Sequence, residues 1–311
     1  MDLTGPAGRF LHVNLNTRDV ERATAFYAAV AGLTTVMRTK PVPTRGEVFG
    51  VEGIVLARAH FLYDQRGPRR APALELVQWD EPKTWGSAYP DPTRPGLHAL
   101  CLTAPDPSAA ARIAADTGGT VIAEGPTTIR PGHGVVVLDP DGVQVEIAPA
   151  DGPSVFAGIR LHCTDLDKTI DWYGKVGFGL VTAPEEVEWP GAGFRVPGSV
   201  RARAATLALP EDRDQFTVRV LQLLDPEPAG ASYPAGPHVG MFRSALRVED
   251  IAAGCDRLRE AGVDVVGPKA YRLAGTKVGD MKIAFVTDPD GVLAELIERP
   301  AKLFGPGRPA G

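Results

Sequence analysis

The sequence has few of the features that mark secreted, membrane-bound or metal–thiolate proteins. Its 311 residues include three cysteines, Cys101, Cys163 and Cys255, which are odd in number and far apart. This spacing predicts reduced, buried thiols in a cytoplasmic protein, and it excludes a disulfide framework or a zinc–thiolate cluster. No apolar run reaches the roughly 18 residues of a membrane span, and the first residues lack the basic and apolar segments of a signal peptide.

The sequence also lacks an excess of charge of either sign. The 33 basic and 38 acidic residues give a net charge of −5, and they form no basic run or basic–aromatic stripe. We therefore expect no nucleic-acid partner. Apolar residues make up 44% and charged residues 23%, as in ordinary globular proteins. The chain length suggests two domains, and we expect a monomer or homodimer that acts on a small molecule.

What the sequence does have is an internal repeat. The aligned pairs are "HVNLNTRDVERATAFYAAVAGL" (12–33) with "GIRLHCTDLDKTIDWYGKVGFGL" (158–180), "LELVQWDEPKTWGSAYP" (74–90) with "VRVLQLLDPEPAGASYP" (218–234), and "DPDGVQVEI" (139–147) with "DPDGVLAEL" (288–296). The halves therefore share one architecture, with a boundary near 150–156.

Each half is itself double. The segment "HALCLTAPDPSAAARIAADTGG" at 98–119 again reads as a strand, an aspartate, a short helix and a glycine. Further strands follow it and end after the "DPDG" turn. The sequence thus predicts an α+β protein of four strand–helix–strands units, paired two and two.

The three repeated motifs together resemble the vicinal oxygen chelate superfamily, which includes glyoxalase I, extradiol dioxygenases and bleomycin-resistance-type binding proteins. The resemblance covers roughly residues 9–149 and 155–298. It implies four βαβββ units paired into two cup-shaped domains, in which strand residues facing the cup bind the ligand. We expect a metal-binding domain at 1–151 and a degenerate, metal-free domain at 152–311.

The resemblance also implies a metal site in the first half. Four residues lie at the superfamily's ligand positions: His12, Glu75, His98 and Glu146. Two imidazoles and two carboxylates suit one divalent ion such as Ni²⁺, Zn²⁺, Co²⁺, Mn²⁺ or Fe²⁺. Glu75 and Glu146 are the expected catalytic residues, because a carboxylate at the metal can also serve as a general base.

The second half has lost three of these four positions. Its equivalents are Gly158, Arg219, Phe242 and Glu295, and only the glutamate can coordinate a metal. If the cup closes within the half, Arg219 faces Glu295 and neutralises it.

Superfamily members pair their units in two ways. Pairing within each half gives one complete and one degenerate site, whereas pairing the first unit with the fourth and the second with the third divides the ligands. Two incomplete sites are less plausible than one complete site, so we expect pairing within halves. One metal ion per chain follows.

Three functions are compatible with the resemblance. The favoured one is a glyoxalase-like isomerase or lyase that combines Lewis-acid and general-base catalysis on a small substrate with chelating oxygens. An Fe²⁺ extradiol dioxygenase would use His12, His98 and Glu146 as its triad, but Glu75 occupies a position that dioxygenases leave free. A non-catalytic drug- or metabolite-binding protein would need no metal ligands.

Overall fold

The computed structural model describes residues 5–49, 51–89, 91–213, 215–232, 236–272 and 279–304. These residues form four α-helices: α1 (Val20–Ala31), α2 (Pro107–Asp116), α3 (Leu166–Val176) and α4 (Ile251–Glu260). Short 3₁₀ helices lie at Gly46–Phe49, Gly191–Phe194 and Ala301–Leu303. No helix in the described part of the chain is long and apolar enough to cross a membrane.

Strands dominate both halves of the chain. The first half contains β1 (Ala7–Asn16), β2 (Thr34–Arg38), β3 (Thr44–Arg45), β4 (Ile54–Tyr63), β5 (Ala73–Glu81), β6 (Gly96–Ala104), β7 (Thr120–Pro126), β8 (His133–Leu138) and β9 (Gln144–Pro149). The second contains β10 (Val155–Cys163), β11 (Gly179–Pro190), β12 (Ser199–Ala208), β13 (Thr217–Asp225), β14 (Gly240–Val248), β15 (Val265–Arg272), β16 (Asp280–Thr287) and β17 (Leu293–Glu298).

The strands form two curled sheets, and the four-unit α+β architecture is as predicted. One sheet has nine strands in the order β15-β16-β17-β14-β1-β5-β4-β2, with β3 paired to β4. The other has eight, in the order β11-β12-β13-β10-β6-β9-β8-β7. Each sheet has one face packed against the helices and one face turned away from them. We call the face turned away from the helices the first cup in the nine-stranded sheet and the second cup in the eight-stranded sheet.

The expected pairing within halves is wrong. β1 of the first unit pairs antiparallel with β14 of the fourth, and β10 of the third unit pairs with β6 of the second. Each cup therefore draws on both halves of the sequence. The physical reason for the error is that β6 and β14 are equivalent strands of the repeat, so either one could pair with the free edge of β1.

The opposite faces of the two sheets share one hydrophobic core with the helices. This core joins residues from all four units, among them Phe26, Leu100, Phe156 and Leu246. The three cysteines are free and buried, as predicted. Because both sheets bury their second face in the same core, the positions of the two cups are fixed relative to it.

The aspartates predicted at the helix starts are N-caps. Asp19 accepts hydrogen bonds from the backbone N–H groups of Glu21 and Arg22 at the start of α1. Asp106, Asp165 and Asp250 cap α2, α3 and α4 in the same way. These caps satisfy N–H groups that have no partner within the helix.

The repeated "DPDG" turn is a structural element. Asp139 Oδ1 accepts hydrogen bonds from the N–H groups of Asp141 and Val143, at 2.9 and 2.8 Å. Asp288 Oδ1 accepts hydrogen bonds from the N–H groups of Asp290 and Val292 at the same two distances. The turn delivers the chain into β9 and β17, the strands that carry the two repeated glutamates.

Candidate functional site

A cavity of about 360 Å³ opens in the first cup. Its volume lies in the range of small-molecule sites, and most of its surface is apolar. Aromatic side chains contribute much of this surface, including Phe49, Phe61, Trp79 and Tyr271. The polar side chains at the centre of the cup are His12, Asn14, Glu75, Arg243 and Glu295.

A β-bulge turns His12 towards the cavity. Phe10 lies opposite Leu246 and His12 lies opposite Ala245, so Leu11 is an extra residue in β1. Phe10 and Leu246 belong to the core shared with the helices. Without the bulge, strict alternation would place His12 on the same face as Phe10.

Strand register then gathers the other polar groups around His12. Asn14 in β1 lies beside Glu75 in the parallel neighbour β5, and opposite Arg243 in β14. Ala245 separates His12 from Glu295 in the next row, where its small side chain leaves room between them. Two rows of facing residues result: Glu75, Asn14 and Arg243 in one, and His12, Ala245 and Glu295 in the other.

The imidazole of His12 lies between two carboxylates. Its Nε2 atom is 3.1 Å from Glu75 Oε2 and 3.9 Å from Glu295 Oε2. Asn14 donates its side-chain N–H to Glu75 Oε2. The rings of His12 and Phe61 pack nearly perpendicular to each other, with their centroids 5.7 Å apart. These contacts hold His12 and Glu75 in one position.

Burial sets the protonation states of this pair. It lowers the pKa of His12 to about 3, with a further contribution from the Arg243 guanidinium, so the imidazole is neutral. Burial raises the pKa of Glu75 to about 7, against the opposing effect of Arg243 and with a smaller contribution from Glu295. Near neutral pH, Glu75 can therefore both take and release a proton.

Glu295 has a different environment. Burial raises the pKa of its carboxyl, and the nearby Arg243 opposes that rise. Arg243 Nη2 lies 3.3 Å from Glu295 Oε2, and both side chains are 6% exposed. The Arg243 guanidinium also lies among three aromatic rings, those of Phe49, Phe242 and Phe285.

The second cup is nearly filled by its own side chains. Glu146 forms a buried ion pair with Arg160, and its Oε2 accepts hydrogen bonds from Thr128 N and Oγ1 at 2.8 Å. The Arg160 guanidinium lies 4.5 Å from the Phe194 ring centroid. The cavity beside these residues is only about 40 Å³, too small for an organic ligand.

The structure does not bring the four expected ligands together. His12 and Glu75 lie in the first cup, whereas Glu146 and His98 belong to the eight-stranded sheet. His98 stacks on His162, with centroids 3.9 Å apart, and its Nε2 is 2.6 Å from Arg94 O. The dioxygenase triad of His12, His98 and Glu146 is likewise divided between the sheets.

The expected pairing of Arg219 with Glu295 is also wrong. Arg219 Nη2 lies 3.0 Å from Glu185 Oε1 in the other sheet, and Glu295 pairs with Arg243. Glu295 of the fourth unit faces His12 of the first unit. Because these two units pair, the first cup is not built from the first half alone, as we had expected. The sequence reasoning missed Asn14 and Arg243, although Asn14 could have been found, because it is two residues after His12 on the same strand.

No group of three His, Cys, Asp or Glu side chains within the described residues is arranged as a ready metal site. The chemistry of His12, Glu75 and Glu295 nevertheless fits a divalent ion, because it combines a neutral imidazole with two carboxylates. His12 Nε2 and Glu295 Oε2 are buried and have no hydrogen-bond partner in the part of the chain that the structure describes. The superfamily's remaining ligand position in this cup is Phe242, so at most three of the four side chains could coordinate.

Comparisons with known proteins agree with this architecture. A probable lactoylglutathione lyase of Vibrio cholerae is 33% identical over 139 residues, which cover 44% of this chain and 86% of the relative. The lactoylglutathione lyase of Pseudomonas putida is 28% identical over 169 residues, covering 50% and 92%. The crystal structure of glyoxalase I from Zea mays superposes with a TM-score of 0.67 at 18% identity, covering 96% of this chain and 94% of that one.

The Zea mays structure shares the fold along nearly the whole chain, whereas the two bacterial relatives match about half of it. The model of the Glyoxalase/Bleomycin resistance protein/Dioxygenase superfamily matches residues 9–147 and again 156–296. The chain therefore belongs to the Glyoxalase/Bleomycin resistance protein/Dioxygenase superfamily, of which it carries two consecutive copies.

Proposed function

We propose that this chain is a glyoxalase-type lyase or isomerase that transfers a proton on a small oxygenated substrate in the first cup. One observation carries the proposal: Glu75 faces the large cavity beside the neutral His12, 3.1 Å away, with its pKa raised to about 7. A carboxyl of that pKa is an effective general base and general acid at neutral pH. The bacterial relatives named lactoylglutathione lyase support this reaction class.

Glu75 is the residue that takes the proton. Its carboxylate accepts a proton from a substrate carbon next to a carbonyl, and the same carboxyl returns it to the neighbouring atom. Asn14 donates to Glu75 Oε2 and so orients that oxygen. The apolar walls around it exclude water, which limits loss of the proton during transfer.

His12, Glu75 and Glu295 are the residues that would hold a divalent ion. A bound ion would supply Lewis-acid polarisation of the substrate oxygens and stabilise the negative charge that develops on them. Glu75 would then both bind the ion and act as the base, and Glu295 would remain a ligand. Among the described residues, only the first cup has both these side chains and the volume for a substrate, so we propose one active cup per chain.

The test is turnover of the hemithioacetal formed from methylglyoxal and glutathione, after reconstitution of the full chain with Ni²⁺, Zn²⁺, Co²⁺, Mn²⁺ or Fe²⁺. We expect activity with at least one ion, and Glu75→Gln should reduce kcat by about a hundredfold or more. Glu124→Gln is the control, because Glu124 lines the small cavity of the second cup and is 59% exposed. Equal activity of the Glu75→Gln variant, or no turnover with any of these ions, contradicts the proposal.

A second candidate is a binding protein without catalysis. Phe242 occupies the remaining ligand position in the first cup, and a guanidinium follows at Arg243. The phenylalanine cannot coordinate a metal and the guanidinium repels a cation, so both disfavour metal binding. The cavity nevertheless remains lined by aromatic side chains. Saturable binding of small aromatic compounds, without metal uptake and without turnover, would favour this candidate over the enzyme.

A further inference from the structure

Five buried polar atoms that have no hydrogen-bond partner among the described residues face the centre of the first cup. They are His12 Nε2, Asn14 Oδ1, Arg243 Nε, Arg243 Nη1 and Glu295 Oε2. Unpaired polar atoms in a buried site are unfavourable, because they have lost water without gaining a partner. The two unpaired nitrogens of Arg243 require an acceptor that the described residues do not supply.

Arg243 is available to a ligand in a way that Arg160, the buried arginine of the second cup, is not. Arg243 and Glu295 form an ion pair at 3.3 Å, and the guanidinium borders the cavity of about 360 Å³. Arg160 instead forms a close pair with Glu146 beside a cavity of about 40 Å³. Each cup thus holds a buried arginine–glutamate pair, but among the described residues only the Arg243 pair lies beside a cavity of ligand size.

The surrounding charges favour an anion. A second guanidinium, that of Arg299, borders the same cavity, and its contact there is with Met281 Sδ at 3.1 Å. Lys40 also borders it. The facing carboxylates are those of Glu75 and Glu295, two groups against the three cationic side chains of the wall. Positive charge therefore predominates in a region of low dielectric constant, where it attracts an anion strongly.

The rest of the wall determines the shape of the ligand. Phe49 and Phe242 lie around the Arg243 guanidinium, each with its ring centroid 5.1 Å from Cζ. Trp79 extends the same apolar wall, with its ring centroid 5.4 Å from that of Phe49. A planar oxyanion could accept hydrogen bonds from Arg243 while an aromatic body packs against these rings.

We propose that Arg243 anchors the carboxylate of a small aryl-substituted organic acid in the first cup, and so determines the substrate class. This inference rests on the first cup being the site of the proposed function, although it does not require turnover. Arg243 is a specificity residue here, since it binds the anionic end of the ligand and leaves proton transfer to Glu75.

The experiment measures binding of phenylacetate to the metal-free full chain by isothermal titration calorimetry. Phenylacetamide, the uncharged analogue with the same aryl group, is the control. We expect phenylacetate to bind about tenfold more tightly, as charge-assisted hydrogen bonds imply. Glu295→Gln should tighten phenylacetate binding further, because it removes the carboxylate that competes for Arg243. Adding Arg243→Met to Glu295→Gln should abolish the preference, and that pair of changes removes both members of the buried ion pair together.

A structural role for Arg243 predicts other results. If it only neutralises Glu295, then Glu295→Gln leaves phenylacetate binding unchanged, and the double variant binds like the single one. Either result overturns the inference, as does a failure of Glu295→Gln to bind phenylacetate at all. Because turnover is not measured, a chain that prefers phenylacetate but does not convert hemithioacetal retains this inference and loses the proposed function.

Discussion

The two glutamates that follow the repeated turn occupy equivalent positions in β9 and β17, yet their neighbours differ. Glu146 is paired with Arg160 and accepts two hydrogen bonds from Thr128. Glu295 is 3.3 Å from Arg243 and 3.9 Å from His12, and one of its oxygens has no hydrogen-bond partner within the described residues. Glu146 is thus satisfied by the protein, whereas Glu295 can still bind a ligand or ion.

At the same scale, the protonation of Glu75 gives a stability prediction. Its pKa is raised from an ordinary value of 4.5 to about 7, so the folded protein holds this proton more tightly than the unfolded chain does. Folding therefore becomes less favourable as pH rises through that interval, by about 3 kcal/mol. Glu75→Gln cannot ionise, so in metal-free protein its stability relative to wild type should increase by about that amount.

Urea unfolding at about pH 4.5 and about pH 8 measures this difference. His12 acts in the opposite direction, because its lowered pKa removes stability as pH falls below its ordinary value of 6.5. That contribution is common to both proteins and largely cancels in the comparison. The same stability difference at both pH values would mean that Glu75 titrates normally.

At the scale of single elements, the sequence predicted well wherever the interaction is local. The aspartates before the helices are caps, and the "DPDG" turn precedes a strand in both halves. These motifs act over a few residues and do not depend on which strand lies next to them. The bulge at Leu11 is also local, but no residue pattern marks it, because a bulge is defined by the partner strand.

The turn itself gives the second prediction. Asp139 Oδ1 accepts two backbone hydrogen bonds, and Tyr27 OH donates to its Oδ2 at 2.8 Å. Asp139→Ala leaves these buried donors unpaired and should lower the free energy of unfolding by about 2–4 kcal/mol. Asp139→Asn keeps an acceptor for the turn and should lose less. Thermal and urea unfolding of both variants measure the effect, and equal losses would show that the carboxylate charge matters more than the turn.

At the scale of the whole molecule, the sequence could not determine which units pair. β6 and β14 are equivalent strands of the repeat, and β1 could pair with the edge of either one. Hydrophobic alternation is the same in either arrangement, so it carries no information about the choice. The consequence for the site is large, because Phe242 of β14 takes the place in the first cup that His98 of β6 would otherwise take. Glu75 lies beside His12 in either arrangement, since both belong to one unit.

The same equivalence predicts how an isolated half would behave. In a fragment of residues 1–151, β1 loses its partner β14 and β6 loses its partner β10. Each exposes an edge with one apolar face, and the two edges can satisfy each other, within one copy or between two. That pairing would bring His12 and Glu75 together with His98 and Glu146, a complete set of four metal ligands.

We therefore expect the 1–151 fragment to fold, as a monomer or as a dimer, and to bind Zn²⁺ or Ni²⁺ more tightly than the full chain. Analytical ultracentrifugation gives its assembly state, and titration calorimetry gives the affinity. His98→Ala is the matched control. It should weaken metal binding strongly in the fragment, where His98 would become a ligand, and leave it nearly unchanged in the full chain, where His98 stacks on His162. An unfolded fragment, or one in which His98→Ala has no effect on metal binding, would show that β6 cannot replace β14 beside β1.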